Sequence, residues 1–143
     1  MPKSTSTCNN IVNLMYRATA WANVADNAAA SPFTNTYVSL HTATPGTGND
    51  QTTNETAYTN YARQAVLRST GWDAASGGAT ANSASISFPQ CGVTGATLTD
   101  VAIGTTLASA GTVWHYGSLN SSLAVANGIT PQFAAGALTV TEA

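Results

Sequence analysis

The stretch that decides the fold is TYVSLHTATPGTGNDQTTNETAYTNYARQAVLR, residues 36–68. Val38 and Leu40 alternate with polar and aromatic neighbours, which is the period of two expected of a strand with one buried face. The pattern predicts a first strand over Tyr37–His41 and a second strand over Tyr61–Arg68. The chain is therefore expected to be built around β-strands.

A long polar loop, residues 42–60, separates these two predicted strands. Its Pro45, Gly46 and Gly48 favour turns, and the phosphate-binding pattern that ends in Gly-Lys-Ser/Thr is absent. The acidic residues of the loop do not follow the spacing of a calcium-binding loop. Loops longer than about 15 residues in compact domains are usually functional or disordered. We therefore predict a loop that is presented to a partner and carries no catalytic group.

The composition describes a chain with few charges and a normal hydrophobic content. Of its 143 residues, 43% are hydrophobic, which argues against disorder and predicts one domain over residues 1–143. Only 7% are charged, against about 25% in typical soluble domains, and the net charge is −2. Because no basic stripe exists, we predict no nucleic-acid partner.

The N-terminal segment and the cysteines give weaker indications. The polar start MPKSTSTCNN does not resemble a secretory signal peptide, and no apolar run approaches the roughly 20 residues of a membrane span. We therefore predict no membrane partner. Cys8 and Cys91 lie far apart and lack metal-ligand spacing. Two buried thiols are expected, although a disulfide between them is geometrically allowed.

One amphipathic helix is predicted over residues 7–25, with Ser6 or Thr7 as its N-cap. Trp21 lies near the edge of the apolar stripe, where it could pack in the core or contact a neighbour. Pro32 marks a point that the helix cannot pass. The predicted apolar face consists of Ile11, Leu14, Met15, Ala18, Ala22 and Ala25.

Short strands with turns between them are predicted beyond Pro32. The apolar phase of one strand slips near Asp100, which indicates a β-bulge, and Asn127-Gly128 predicts a hairpin turn. The expected fold class is mainly β: β-sandwich or jelly-roll-like antiparallel sheets (36–141) after an N-terminal arm and α-helix (1–30). The further strand signals are Ser83–Phe88, Ala96–Ile103, Thr112–Leu119, Leu123/Val125, Ile129–Phe133 and Leu138/Val140.

No recognisable catalytic constellation is present, so we predict no enzyme, no cofactor and no metal site. His41 and His115 lack a third ligand at a recognisable spacing, and no Gly-x-Ser-x-Gly elbow occurs. At least one of Arg63 and Arg68 is expected to pair with an acidic residue, which could belong to a neighbouring subunit. A sugar-binding platform is an alternative use of the aromatic residues Trp72, Trp114, Tyr58 and Tyr61.

Several short motifs resemble a small virion protein family of tailed bacteriophages, whose members are often labelled tail fibre proteins. The resemblance covers residues 36–141. Size and predicted fold are also similar to those of capsid cement or decoration proteins, which bind outside the major capsid shell. The motifs are Leu40-His41-Thr42, Pro45-Gly46, Asn54-Glu55, Tyr61-Ala62-Arg63, Gly128-Ile129-Thr130-Pro131, Phe133 and Gly136-Ala137-Leu138-Thr139-Val140.

The resemblance implies a structural protein of the virion. We expect a cement protein on the outer capsid surface that binds the major capsid protein and associates with itself as a homodimer or homotrimer, since weakly charged surfaces suit such contacts. A tail-fibre or receptor-binding module is the alternative, followed by a carbohydrate-binding module. The residues predicted to contact a partner are Tyr16, Trp21, His41, Asp50, Glu55, Tyr58, Tyr61 and Arg63.

Overall fold

The computed structural model describes residues 3–21, 24–25, 32–48 and 50–142. Within these residues the chain is mainly β, with antiparallel sheets and a single helix, which confirms the predicted fold class. The elements are α1 (Thr5–Arg17), β1 (Asn35–His41), β2 (Gln64–Leu67), β3 (Ala79–Ala81), β4 (Ile86–Ser87), β5 (Ala96–Gly104), β6 (Val113–Val125), β7 (Gln132–Phe133) and β8 (Thr139–Thr141).

The chain divides into two compact units. The first unit comprises Met1–Asn35, Val66–Ile86 and Phe133–Ala143, so the N-terminal helix belongs with two later segments of the chain. The second unit comprises Thr36–Ala65 and Ser87–Gln132. The single domain expected over residues 1–143 stays a prediction.

A four-stranded sheet in the order β2-β1-β5-β6 dominates the second unit. β1 runs antiparallel to β5, with Tyr37 opposite Gly104 and His41 opposite Asp100. β5 in turn runs antiparallel to β6, and its register shifts between Leu98 and Asp100. The slip predicted near Asp100 is therefore a real bulge, and its extra residues, 119–122, lie on β6 opposite the single residue Thr99.

Both faces of β1 are buried, which corrects the expected half-buried strand. Val38 and Leu40 face the apolar interior as predicted. Ser39 and His41, on the opposite face, are 0% exposed as well. The loop 42–60 folds back along the strand: Thr42 N–H donates to Asn54 O and Thr56 N–H donates to Leu40 O, both at 2.9 Å. From this loop the Thr53 carbonyl reaches His41 on the polar face.

The helix of the first unit is shorter than predicted. Ser4 is its N-cap and accepts a hydrogen bond from the Thr7 N–H at 3.2 Å. The helix ends at Arg17, because Ala18 enters the left-handed region at φ 52° and its N–H returns to the Asn13 carbonyl. The predicted extension to residue 25 is wrong, although Ala22 lies outside the described residues.

The buried face of α1 also differs from the predicted one. Cys8, Val12 and Tyr16 are buried, whereas Ile11, Leu14 and Met15 are only half-buried. The Tyr16 ring packs edge-on against the fully buried Trp72, with ring centroids 4.8 Å apart and planes at 72°. The helix therefore packs on the face of Cys8, Val12 and Tyr16, where the large Tyr16 ring buries its area against Trp72.

Later segments of the first unit make hydrogen bonds with α1 and with the C-terminal strand β8. The Asn9 and Asn13 side chains accept hydrogen bonds from the N–H groups of Gly78 and Ala75, at 2.5 and 2.9 Å. β3 pairs with β8 antiparallel, and α1 packs against β3. The fully buried Asn82 donates to the Ala84 and Ala134 carbonyls and accepts from Leu138 N–H, at 2.7–2.8 Å.

Several strand predictions need correction. The strand predicted over Tyr61–Arg68 shortens to β2, and the strand predicted over Ile129–Phe133 shortens to β7. The strand expected over Ser83–Phe88 shortens to β4, because Ala84 is exposed and only Ile86 and Phe88 are buried. The separate strands expected in residues 112–125 are one strand, β6. The Asn127-Gly128 turn forms, with Gly128 at φ 86°, but it closes no hairpin because β7 pairs with β4.

Candidate functional site

The Ser39–His41 pair has the hydrogen bonds of a nucleophile and its base. Ser39 Oγ lies 2.9 Å from His41 Nε2, and His41 Nδ1 lies 2.9 Å from the Thr53 carbonyl oxygen. A carbonyl only accepts, so Nδ1 carries the proton and Nε2 accepts from the serine hydroxyl when the ring is neutral. Ser39 and His41 are both completely buried, and the His41–Thr53 hydrogen bond ties the loop to β1.

Burial also decides the charge of His41. It lowers the pKa of the imidazole, against the opposing effects of the Thr53 carbonyl and the Glu55 carboxylate. The ring is therefore neutral at pH 7. Among the residues that the structure describes, no group of three or more His, Cys, Asp or Glu side chains is placed to hold a metal ion.

Gln51 joins two loops of the second unit, residues 42–60 and residues 105–112, which we call the loop platform. Its side-chain amide donates to the Tyr37 carbonyl at 3.1 Å, and its Oε1 accepts from the Thr106 N–H at 3.3 Å. Its backbone N–H donates to the Ala110 carbonyl at 2.8 Å. A fully buried glutamine with these partners fixes the position of one loop against the other.

Two glycines make room for the Gln51 side chain. A Cβ atom on Gly104 would lie 2.3 Å from Gln51 Cδ and 2.5 Å from the Thr112 carbonyl oxygen. Gly111 adopts φ +59°, and a Cβ atom there would lie 2.2 Å from Thr106 Oγ1. Because larger residues at either position would displace Gln51 or Thr106, the platform depends on both glycines.

Arg63 forms the second link of the platform. Its Nε and Nη2 donate to the two carboxylate oxygens of Glu55, each at 2.7 Å, and its Nη1 donates to the Thr106 carbonyl at 3.0 Å. The Tyr61 hydroxyl donates to Glu55 at 2.8 Å and accepts from the Leu40 N–H at 3.1 Å. The prediction that an arginine pairs with an acidic residue is confirmed, and both partners belong to one chain.

The pKa shifts reflect this pairing. Burial alone would lower the pKa of the Arg63 guanidinium, but the hydrogen bonds and charge of Glu55 outweigh it and raise the pKa. Burial, reinforced by the Glu55 charge, raises the pKa of Tyr61. Both groups therefore keep their protons at any physiological pH, and the platform retains one fixed hydrogen-bond pattern.

The structure places the residues predicted to contact a partner in two groups. Tyr16, His41, Tyr58 and Arg63 are buried, so their side chains make contacts within the chain. A second group retains partial exposure, and for these residues the interface stays a prediction. They are Trp21, Asp50, Glu55 and Tyr61. The backbone of Trp21 forms a β-bridge with that of Ala25, and the Asp50 carboxylate accepts from the Thr52 N–H at 2.8 Å.

Of the four aromatic residues considered for a sugar-binding platform, Trp72 and Tyr58 are buried, whereas Trp114 and Tyr61 keep partial exposure. Trp72 is fully buried in the first unit. In the second unit, the Tyr58 ring packs edge-on against Tyr61 at 5.3 Å, and its hydroxyl donates to the Pro89 carbonyl at 2.9 Å. Burial raises the pKa of Tyr58 to about 12. These rings stabilise the interior.

The sequence did not identify Gln51 and Thr106 of the loop platform, or Gly104 at the end of β5 beside it. No local pattern distinguishes Gln51 from the other polar residues of its loop. Its importance comes from partners 14 and 55 positions away, Tyr37 and Thr106. Only a three-dimensional structure brings these groups together.

β6 offers a different kind of surface. It is an end strand of the four-stranded sheet, and it contains no Asp, Glu, Lys, Arg or Pro. Tyr116 and Leu123 on this strand are 43% and 38% exposed. At Gly117, a Cβ atom would find nothing within 4 Å. Residues 115–118 pair regularly with β5, and we call their outer side the β6 edge.

Comparison with known proteins identifies a relationship that spans nearly the whole chain. A family model described as Podophage GP4 fiber I protein gp80 matches residues 2–141. No curated protein matches the chain. In the part of the chain that the structure describes, no helix has both the length and the apolar character needed to cross a membrane. The matched region includes the loop platform and the β6 edge.

Proposed function

Because this chain belongs to the family described as Podophage GP4 fiber I protein gp80, we propose that it is built into a fibre of a tailed-phage virion. Membership confirms the resemblance to tailed-phage virion proteins, and the chain is a phage structural protein located in the virion. The match over residues 2–141 is the observation that carries the proposal.

The charge distribution supports a role in repeated protein–protein contacts. Nine charged residues lie in the described part of the chain, and only Lys3 and Asp73 among them are well exposed. Arg63, Arg68 and Asp100 are buried. Since the centres of protein interfaces are depleted in charge, a surface of this kind suits subunits that pack against copies or neighbours.

The loop platform also supports a structural role. A fibre subunit must hold its shape without a ligand, and the Gln51 and Arg63 links fix both loops within the folded chain. We propose that the protein is not an enzyme. The Ser39–His41 pair is shielded by its own chain, and catalysis would require the loop 42–60 to leave β1.

Electron microscopy of virions with and without this protein tests the proposal. We expect the missing density to lie in a fibre, with the density of the head unchanged. The control is a set of virions without the gene that are assembled while the protein is supplied in trans, because the same density should then return. Regular loss of density over the whole head would instead favour a cement protein bound to the major capsid protein and would overturn the fibre assignment.

A further inference from the structure

The β6 edge has the chemistry to bind another strand. A strand that ends a sheet turns alternate N–H and C=O groups outward, where they can pair with a second chain. Natural edges are often protected by lysine, proline, bulges or short length. β6 is a 13-residue strand with neither lysine nor proline, and between its two register shifts residues 115–118 pair regularly with β5. In the described part of the chain, no strand covers its outer side.

Tyr116 and Gly117 mark where a partner would approach. Tyr116 is 43% exposed, which is unusual for a large aromatic residue in a sheet. Gly117 has open space where a side chain would point, and a glycine within a strand often marks the close approach of another backbone. Adjacent residues of a strand point to opposite faces, so a strand that pairs with the β6 edge would lie beside Tyr116 on one face and Gly117 on the other.

We propose that β6 of one copy pairs antiparallel with β6 of a second copy, about a two-fold axis at Tyr116. The proposal rests on the proposed function, because a fibre is built from repeated copies. Tyr116 would then face its own equivalent, and aromatic pairs across strands are favourable. Such an interface is closed, since each copy uses the same edge.

A second copy is the occupant that the charges favour. Identical strands place like side chains near each other, so a charged edge would repel its own copy. The β6 edge contains no charged residue and avoids this repulsion. A charged partner peptide would gain no complementary ion pair from it.

The bulge limits the paired segment. Residues 119–122 leave the regular ladder with β5, and bulges terminate or redirect pairing. Continuous pairing is therefore expected on the Tyr116 side of the bulge, up to Ser118. A second shift, between Ile103 and Gly104 of β5, falls beside Trp114 and leaves residues 115–118 as the regular segment. This contact is much smaller than the roughly 20–30 residues a side of a standard interface. We therefore expect a weak dimer that forms only at high protein concentration.

Two variants of the full chain test the proposal by sedimentation. Tyr116→Lys places two lysines opposite each other and should raise the dissociation constant of the dimer at least about tenfold. Leu107→Lys is the matched control. Leu107 is 56% exposed in a loop, so this substitution adds the same charge away from β6. Circular dichroism confirms that both variants fold.

Disulfide trapping gives a second readout that does not depend on the lysine variants. Under mild oxidation, Tyr116→Cys should form a covalent dimer several times faster than Ala108→Cys, an exposed position in the loop 105–112. Equal rates for the two cysteines, equal effects of the two lysines, or open-ended polymers would each overturn the proposal. None of these results depends on where the protein lies in the virion, so the fibre assignment is tested separately.

Discussion

Glu55 and Arg63 form a two-armed ion pair inside the second unit. The distances are 2.7 Å from Nε to Oε1 and 2.7 Å from Nη2 to Oε2, and the two side chains are 14% and 3% exposed. Such paired hydrogen bonds fix both direction and distance. Arg63 also holds the Thr106 carbonyl, so the ion pair positions the loop 105–112.

Replacement of Glu55 by Gln should therefore destabilise the protein by about 3 kcal/mol, because a buried guanidinium loses its counter-charge. The free energy of unfolding, measured with urea, checks this value. Asp50→Asn is the matched control: it removes the same charge from the same loop, but the Asp50 side chain hydrogen-bonds only within its own turn. A Glu55→Gln variant as stable as Asp50→Asn would contradict the structural role of the pair.

The stability of the protein should fall as the pH falls below about 6.5. Burial lowers the pKa of His41 in the folded chain below the ordinary 6.5. As the pH falls, the unfolded chain therefore binds a proton before the folded chain does, and this binding favours unfolding. The contribution of neutral His41 is complete above the unfolded pKa and decreases down to the folded pKa. The charged groups that act on the ring are Glu55, Arg63 and Asp100.

Urea midpoints at about pH 7.5 and about pH 5 measure this effect. His41→Gln should reduce the difference between the two midpoints. His115→Gln is the control for the other histidine, and it should leave most of the difference in place. If His115→Gln removes the pH dependence and His41→Gln does not, the buried ring is not its source.

Gly104→Ala should destabilise the protein by about 1–3 kcal/mol, because the new methyl group overlaps Gln51 and the Thr112 carbonyl. Gly117→Ala is the control on the neighbouring strand. Its Cβ has open space, and alanine should change the free energy of unfolding by less than about 0.5 kcal/mol. Equal stability of the two variants would mean that Gln51 is not tightly held.

The sequence predicted the parts of the fold that have a local signal. Alternation of Val38 and Leu40 placed β1 correctly, and the phase slip near Asp100 located a bulge that the structure contains. Both features depend on neighbours in the sequence, because the side chains of a strand alternate between two faces. The mainly β class follows from the same kind of signal.

Other features arise from contacts between distant residues and had no local signal. On the polar side of β1, Gln51 bonds the Tyr37 carbonyl and the Thr53 carbonyl bonds His41, although both partners come from the loop. The pairing of β4 with β7 likewise joins segments that are far apart in the sequence. For the candidate site, the sequence selected Glu55, Tyr61 and Arg63 by residue type, but it predicted partner contacts where the structure shows an internal network.

Arg68 caps the C-terminal end of α1 and provides the last prediction. Its guanidinium donates to the carbonyl oxygens of Leu14 and Met15, in the last turn of the helix, and to Phe33 at 2.6 Å. These carbonyls have few helical partners, and a cation also suits the negative end of the helix dipole. Burial lowers the pKa of Arg68, and the side chain stays charged.

Arg68→Lys should cost about 2–3 kcal/mol of unfolding free energy, because an ammonium group cannot span three carbonyls that a planar guanidinium reaches. The helical signal of circular dichroism should be lost at a lower urea concentration. Arg17→Lys is the matched control, since Arg17 is half-buried and donates one hydrogen bond, to the Trp72 carbonyl at 2.8 Å. Both variants keep the positive charge. A larger loss of unfolding free energy for Arg68→Lys would therefore come from the geometry of the cap, and equal losses would contradict a role for that geometry.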